Sequence, residues 1–252
     1  MSRKRIDSLM VEGGLADTRA KAQALLMAGA VTVDGRPVTK PGAMVPEGAG
    51  IRLREALPYV GRGGAKLEHA LNVFHMDVTD FVAVDIGAST GGFTDCLLQK
   101  GVARVYAVDV GRGQIDYRLR TDPRVVVMEK VNARFPLPVP EKVDLATIGV
   151  SFISATKVVP NAISLLKPGG NIVLLLKPQF EAWRQEVGKG GIVKDPLVHA
   201  GVLGRFFAWA IDNGLRLKGL TTSPIEGASG NREFLVLLAP AVSSTQGNPL
   251  TL

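Results

Sequence analysis

In this sequence of 252 residues, a glycine-rich turn is followed about twenty positions later by an acidic residue, a pattern typical of ligand-binding sites. The turn reads Asp85-Ile86-Gly87-Ala88-Ser89-Thr90-Gly91-Gly92, and Asp109 ends the next strand-like run. Glycines that follow a strand let the backbone approach a ligand closely, and a carboxylate ending the second strand can accept hydrogen bonds from ribose hydroxyls. The spacing therefore predicts a site for a cofactor that contains a nucleoside.

The elements needed to position this turn follow from residue 81 onward. Strand-like runs alternate with helical ones, which predicts an α/β fold with a doubly wound, mostly parallel sheet. The runs cover 81–84, 104–108, 125–128, 145–148, 171–176 and 234–238. Dinucleotide sites favour a G-x-G-x-x-G turn, whereas Asp85-x-Gly87 followed by Gly91-Gly92 looks like the S-adenosylmethionine loop of Rossmann-like class I methyltransferases.

The first 58 residues read as a separate, small α+β module. Asp17 or Thr18 can cap a helix that Gly29 ends, and residues 31–38 alternate around an Asp34-Gly35 turn. Glycine and proline are frequent from 41 to 58, which marks a boundary near residue 58. We expect a second domain over 59–242 and a flexible tail over 243–252.

The amino-acid composition bears on the partner, the metal content and the cellular location of the protein. The formal net charge is +7 and the pI is about 9.7, which favours a polyanionic partner without naming one. A lone cysteine, Cys96, and three scattered histidines predict no disulfide and no metal site. No run is apolar enough for a signal peptide or a membrane span, so we expect a cytoplasmic protein.

The N-terminal module resembles the alpha-L RNA-binding module of a ribosomal protein, pseudouridine synthases and tyrosyl-tRNA synthetases. The resemblance rests on three patterns: Arg5-Ile6-Asp7-x-x-Met10, Thr18-Arg19-x-x-Ala22 and Gly29-Ala30-Val31-x-Val33-Asp34-Gly35. It implies that basic side chains of the helix pair hold the RNA backbone. These candidates are Arg3, Lys4, Arg5, Arg19 and Lys21. Charges that are merely solvated at helix ends remain the alternative.

From about residue 3 to 239 the chain resembles the TlyA family. Beyond the glycine turn and Asp109, the resemblance rests on these motifs: Tyr59-Val60-Gly61-Arg62-Gly63-Gly64-Ala65-Lys66-Leu67, Val150-Ser151-Phe152-Ile153-Ser154, Lys177-Pro178-Gln179-Phe180-Glu181, Gly190-Gly191-Ile192-Val193 and Gly230-Asn231-x-Glu233-Phe234. Family members join an alpha-L module to an FtsJ-like domain and 2′-O-methylate cytidine in ribosomal RNA, and many carry a haemolysin label. The resemblance thus implies S-adenosylmethionine as cofactor and ribosomal RNA or ribosomal subunits as partner.

The resemblance also assigns roles to residues. Cofactor binding is implied for Gly63, Asp85, Gly87, Ser89, Thr90, Gly91, Gly92, Asp109 and Asn132. A catalytic Lys-Asp-Lys-Glu tetrad maps onto Lys66, Lys177 and Glu233 at three of its four positions. The aspartate is missing, because Gly149 stands where the family has Asp before the Val-Ser-Phe-Ile-Ser motif.

The missing carboxylate affects how a lysine could act as a base. The proton of the ribose hydroxyl must leave as the methyl group arrives, and a lysine can accept it only when neutral. Loss of Asp makes a lysine easier to deprotonate but removes the group that orients it, and we expect the loss of orientation to dominate. A catalytically weak RNA- and cofactor-binding protein is therefore the alternative to an active enzyme. A haemolysin is a minor second alternative.

Overall fold

The first 58 residues form one of two compact units in this computed structural model. The structure describes residues 2–27, 30–53, 58–227 and 230–241. The predicted helix end at Gly29 and the predicted tail over 243–252 lie outside the described residues. The second unit comprises residues 59–252.

The N-terminal unit contains two helices and five short strands. They are β1 (Arg3–Arg5), α1 (Ile6–Glu12), α2 (Arg19–Met27), β2 (Val31–Val33), β3 (Arg36–Pro37), β4 (Met44–Pro46) and β5 (Ile51–Leu53). Strands β1 and β4 pair antiparallel, and β2 lies between β3 and β5 in a second sheet. Thr18 Oγ1 accepts a hydrogen bond from the amide of Lys21, which confirms the predicted cap of α2.

The second unit alternates strands and helices. Its elements are α3 (Gly63–Val73), β6 (Val82–Ile86), α4 (Gly92–Gln99), β7 (Arg104–Val108), α5 (Tyr117–Arg120), β8 (Val125–Met128), β9 (Val143–Ile148), α6 (Val159–Ile163), β10 (Leu166–Leu176), α7 (Pro178–Glu181), α8 (Pro196–Asp212), β11 (Leu215–Thr222) and β12 (Phe234–Pro240). Short 3₁₀ turns cover Ala155–Lys157 and Arg184–Glu186.

The strands form one sheet in the order β11-β12-β10-β9-β6-β7-β8. Strands β10, β9, β6, β7 and β8 run parallel to one another. Strand β12 pairs antiparallel with β10, and β11 pairs antiparallel with β12. All six predicted runs are strands, so the predicted mostly parallel α/β sheet is confirmed. Strand β11 was not predicted; it lies at the edge, and only Leu215 of its residues is buried, so it lacks the continuous apolar run of a central strand.

Alternate side chains of the central strands enter two hydrophobic clusters. One cluster contains Val84 and Ile86 of β6 together with Tyr106 of β7. The other cluster contains Ala83 of β6 and Val105 of β7. Both faces of a parallel sheet are therefore covered, as its crossover helices require. Because the carboxyl ends of parallel strands meet at one edge, the segments after β6, β7, β9 and β10 lie together there.

Candidate active site

A cavity of about 480 Å³ opens among the segments that follow β6, β9 and β10. Its walls carry four side chains that can ionise: Arg62, Lys66, Lys177 and Glu233. A second cavity, of about 510 Å³, is lined by Asp109 and Asn132 from the segments after β7 and β8. The two cavities share Gly87, Ser89, Gly149, Ser151 and Phe152 as lining residues. An elongated ligand can therefore extend from one cavity into the other.

The glycine turn needs glycine for close backbone packing. Gly87 has a φ of +83°, and a Cβ there would lie 2.9 Å from the backbone nitrogen of Val150. A Cβ on Gly92 would lie 3.0 Å from the backbone nitrogen of Gly64, at the start of α3. These glycines let the turn lie against the segments after β9 and before α3, which brings Lys66 to the cavity.

Asp85 stabilises the glycine turn through hydrogen bonds to residues that flank the turn. Its carboxylate is fully buried and accepts hydrogen bonds from the amide and hydroxyl of Thr94 and from the hydroxyl of Thr147. Burial raises the pKa of Asp85 to about 6, against the opposing effect of the threonine hydrogen bonds. Asp85 is absent from the lining of both cavities, so its proposed part in cofactor binding is an indirect one.

Asp109 faces the second cavity and is already oriented. One carboxylate oxygen accepts a hydrogen bond from the amide of Ser89 at 2.7 Å, and the other accepts one from the amide of Gly111 at 2.7 Å. A carboxylate can accept about four hydrogen bonds. Asp109 therefore retains acceptor capacity for two ribose hydroxyls. Asn132 lines the same cavity, and its Oδ1 accepts from the amide of Arg134 at 3.1 Å.

Seven of the nine residues proposed for cofactor binding line the cavities. They are Gly63, Gly87, Ser89, Thr90, Gly92, Asp109 and Asn132. The other two are Asp85 and Gly91. Gly91 has a φ of +98° at the start of α4, where a Cβ would lie 2.2 Å from Leu119 Cδ1. Its contribution is the shape of the turn.

Lys66 and Glu233 form a buried ion pair at the first cavity. Lys66 lies on α3, Glu233 immediately precedes β12, and the lysine Nζ donates a hydrogen bond to the carboxylate. Both side chains are under a tenth exposed. The pair thus places two hydrogen-bonding groups beside the cavity.

Lys177, which immediately follows β10, has no carboxylate partner among the residues that the structure describes. Its Nζ donates hydrogen bonds to the carbonyl oxygen of Gly149 and to the hydroxyl of Ser151, each at 2.8 Å. Burial lowers the pKa of Lys177, the charge of Lys66 lowers it further, and the charge of Glu233 opposes both effects. The lowered pKa makes Lys177 easier to deprotonate than an ordinary lysine.

Gly149 occupies the end of β9, beside Lys177. A Cβ built there would lie 3.6 Å from the Gly87 carbonyl oxygen and 3.8 Å from the Phe93 ring, both ordinary contacts. A Cβ at 149 therefore fits without displacing its neighbours. Asp144, at the other end of β9, accepts from the amide of Val82 and pairs with Lys167.

Three lining residues carry features that sequence reasoning did not assign. Ser151 contacts Lys177 as described. Among the described residues, Gln179 Oε1 is the single buried side-chain nitrogen or oxygen without a hydrogen-bond partner. Phe152 is 91% exposed at a φ of +63°, and its ring centroid lies 5.2 Å from that of Phe180. All three were quoted only within motifs, and nothing in their local sequence distinguishes them.

The geometry of the two cavities fits S-adenosylmethionine. Asp109 offers free acceptor positions for a ribose, and the glycine turn exposes backbone where a side chain would fill the space. Gln179 lines the first cavity, and its Oε1 accepts no hydrogen bond from the described residues. A ligand with a donor group could supply the missing hydrogen bond. Among the described residues, no group of His, Cys, Asp or Glu could hold a metal ion.

Four of the five basic candidates of the N-terminal unit are held by acidic side chains. Asp7 is fully buried and accepts hydrogen bonds from Arg5, Arg19 and Gln23. These hydrogen bonds, that of Arg5 foremost, hold the pKa of Asp7 well below its usual range against the effect of burial.

The remaining three basic candidates lie on the surface of this unit. Lys4 pairs with Glu12 at 2.8 Å, and Lys21 pairs with Asp17 at 2.6 Å. Arg3 donates to the carbonyl oxygen of Met44 at 2.6 Å. The side chains of Lys4 and Lys21 are at least two fifths exposed, and Arg3 is an exposed residue. All three are therefore accessible to a polyanion.

Family models match both units. The FtsJ-like methyltransferase model matches residues 59–239, and the S4 domain model matches residues 4–51. No helix of the described residues has both the length and the apolar character needed to span a bilayer.

Relatives of known name align along nearly the whole chain. The 16S/23S rRNA (cytidine-2′-O)-methyltransferase TlyA of Mycobacterium tuberculosis is 40% identical, over 94% of this chain and 90% of its own. Hemolysin A of Brachyspira hyodysenteriae is 41% identical, over 92% of this chain and 98% of its own. The solved structure called "Putative hemolysin from Streptococcus thermophilus" has 45% identity and a TM-score of 0.74, over 96% of this chain and 90% of that one.

These matches confirm the resemblance inferred from the motifs. The FtsJ-like model covers more than half of the chain, and the relatives exceed 30% identity over most of its length. The chain therefore belongs to the TlyA family of FtsJ-like methyltransferases, with an S4 domain ahead of the methyltransferase domain.

Proposed function

We propose that this protein transfers a methyl group from S-adenosylmethionine to the 2′-hydroxyl of a cytidine in ribosomal RNA. The observation that carries this proposal is a lysine of lowered pKa, Lys177, facing the same cavity as the Lys66–Glu233 ion pair. The nucleoside-binding Asp109 lines the adjoining cavity. The relatives named for cytidine-2′-O-methylation of ribosomal RNA supply the substrate class.

The cofactor would supply an electrophilic methyl group on a sulfonium sulfur. Lys177 Nζ, when neutral, accepts the proton that leaves the ribose hydroxyl as the oxygen–methyl bond forms. The positive charge that leaves the sulfur thus reappears on the lysine, and the total charge of the site is unchanged. Lys66 and Glu233 border the place where the hydroxyl would lie and fix its position through charged hydrogen-bonding groups.

The far wall of the first cavity suits a nucleobase. The exposed ring of Phe152, supported by Phe180, offers a face on which an unstacked base can lie. The unpartnered Gln179 Oε1 accepts a hydrogen bond from a base amino group or a hydroxyl. These groups support a single nucleotide, removed from its stack, as the substrate.

The assay that tests the function measures tritiated-methyl transfer to isolated small and large ribosomal subunits. We expect incorporation that depends on S-adenosylmethionine and resists alkaline hydrolysis at the modified nucleotide, because a 2′-O-methyl group blocks cleavage there. A protein that binds cofactor and RNA but incorporates no methyl group would instead be the catalytically weak binding protein. The Gly149→Asp variant, discussed below, separates an impaired enzyme from a protein of another function.

Replacing Asp109 with alanine should weaken cofactor binding by about tenfold to a hundredfold, the loss expected for hydrogen bonds to a charged group. Isothermal titration calorimetry with S-adenosylmethionine measures the change. Asp122→Ala is the matched control, because Asp122 pairs with Arg124 and lines neither cavity. Equal affinities of Asp109→Ala and the unmodified protein would show that the ribose assignment is wrong.

Removing surface charges from the N-terminal unit should reduce the salt sensitivity of RNA binding. Arg5 and Arg19 are unsuitable for this test, because their removal would leave the buried carboxylate of Asp7 without its ionic partners. Arg3→Ala, Lys4→Ala and Lys21→Ala, combined, leave that cluster intact.

We expect this triple variant to lower the slope of log K against log salt by about two, since each lost phosphate contact contributes about 0.7–0.9. Filter binding to ribosomal RNA at several salt concentrations measures the slope. The charge-preserving triple variant Arg3→Lys, Lys4→Arg and Lys21→Arg is the control. If both triple variants give the slope of the unmodified protein, these three residues do not contact phosphate.

A further inference from the structure

The lysine at the end of β10 is held by two neutral oxygen atoms rather than by a carboxylate. The Gly149 carbonyl and the Ser151 hydroxyl each lie 2.8 Å from Lys177 Nζ. We propose that Ser151 is a positioning residue that, together with the Gly149 carbonyl, orients the Lys177 amine so that the lone pair of its neutral form is directed into the cavity. This inference rests on the proposed function and concerns how the chain acts without the tetrad aspartate.

The number of hydrogen bonds matches the donors of the neutral form. A lysine ammonium has three N–H donors, whereas a neutral amine has two N–H donors and one lone pair. The two contacts from Lys177 use both N–H groups of the neutral amine. The remaining tetrahedral position on the nitrogen is the lone pair, which is the atom's only means of accepting a proton.

Burial favours the neutral form of Lys177, whereas the charges around the cavity act on it in both directions. The ionisable side chains that line the cavity are Arg62, Lys66, Lys177 and Glu233. Glu233 already accepts a hydrogen bond from Lys66. Glu181, on α7 beside Lys177, accepts instead from the Ser154 hydroxyl and the Ala155 amide.

Among the described residues, no carboxylate accepts a hydrogen bond from Lys177, although the charge of Glu233 acts on it from a distance and opposes the effects of burial and of Lys66. Carbonyl and hydroxyl oxygens orient the nitrogen without the strong preference for an ammonium that a carboxylate would impose. Ser151 is an exposed residue, so its hydroxyl can be removed without disturbing the core.

In the step itself, the ribose oxygen forms its bond to the methyl carbon while the sulfur–carbon bond breaks. The pair of electrons of the breaking O–H bond stays on oxygen, and the proton goes to the Lys177 lone pair. Ser151 forms and breaks no covalent bond. Its contribution is to prevent rotation of the amine away from the substrate.

A double-mutant cycle tests the proposal, because the contribution of Ser151 should depend on what stands at 149. Ser151→Ala should lower the single-turnover rate of methyl transfer by about tenfold or more in the otherwise unmodified protein. In the Gly149→Asp protein the same change should lower it less than threefold, since the new carboxylate holds the lysine. Ser151→Thr, which keeps a hydroxyl, should restore most of the rate.

A second readout requires neither cofactor nor RNA. The rate of acylation of Lys177 by an amine-reactive ester, followed by peptide mass spectrometry over a pH series, reports the pH at which this amine becomes neutral. We expect the midpoint to rise by about one to two pH units in Gly149→Asp. Ser151→Ala should move it down in the otherwise unmodified protein and leave it in place in the Gly149→Asp protein.

The outcomes separate the two levels of inference. Equal rate losses from Ser151→Ala in both backgrounds, or no loss in either, would overturn the role of Ser151. If no variant methylates RNA, the proposed function fails, and the acylation series alone decides the role of Ser151. In that case, a midpoint that Ser151→Ala does not move in the otherwise unmodified protein would overturn it.

Discussion

Replacing Lys177 with methionine is expected to reduce single-turnover methyl transfer by about a thousandfold, the scale of one positioned general base. Methionine is unbranched and only one atom shorter than lysine, but it has no proton acceptor of comparable basicity. The partners that lose their donor, the Gly149 carbonyl and the exposed Ser151 hydroxyl, can be satisfied by water. The fold should therefore survive, and S-adenosylmethionine affinity should change less than threefold.

The matched control for this variant is Lys142→Met. Lys142 lies at the start of β9, at the opposite end of the strand from Gly149, and its Nζ donates to the Ser164 carbonyl. Its removal should leave the rate within a factor of two. Lys66→Met is a less informative choice, because it would leave Glu233 buried without its partner. A Lys177→Met protein that transfers methyl at the unmodified rate would show that another group takes the proton.

Replacing Gly149 with aspartate should raise the methyl-transfer rate by about tenfold to a hundredfold, measured at the alkaline plateau of the pH–rate profile. A charge-assisted hydrogen bond is roughly twice as strong as a neutral one, so the carboxylate would hold Lys177 more firmly than the present oxygens do. A Cβ fits at 149, with nearest contacts of 3.6 and 3.8 Å. Cofactor affinity should barely change.

The same variant should shift the pH profile in a defined direction. A carboxylate stabilises the ammonium form, so the pKa of Lys177 should rise and the rate should reach its plateau at higher pH. Below that plateau, fewer molecules carry the neutral amine, and the advantage of Gly149→Asp should shrink. Single-turnover rates at saturating cofactor, from pH 6 to pH 10, measure both effects. Equal plateau rates would mean that the carboxylate is dispensable in this chain.

Sequence patterns predicted the parts of the fold that depend on local periodicity. The strands that carry the glycine turn and Asp109 are continuous apolar runs bounded by turn residues, and such runs have few alternatives in an alternating α/β chain. Strand β11 escaped prediction because an exposed edge strand needs no apolar run. The β1–β4 pair escaped for a related reason, since each strand has only three residues.

The site could be predicted only where a motif named its members. Lys66 and Glu233 are 167 residues apart, and no spacing rule connects them. The burial of Asp85 and the contact of Ser151 with Lys177 depend on how neighbouring strand ends converge, which composition does not encode. The contact of Lys177 with the Gly149 backbone carbonyl could not be predicted either, because a backbone carbonyl is present whatever the residue type.

The buried carboxylate of Asp7 has a consequence for the way the N-terminal unit reads a nucleic acid. Free arginine side chains lose about 2 kcal/mol of rotamer entropy when they become ordered. Asp7 orders Arg5 and Arg19 while the protein folds, so this loss is not repeated when RNA arrives. Two guanidinium groups at a fixed separation match only backbones whose phosphates have the same separation. In the proposed contact with RNA, this pair would therefore favour a backbone of matching phosphate separation.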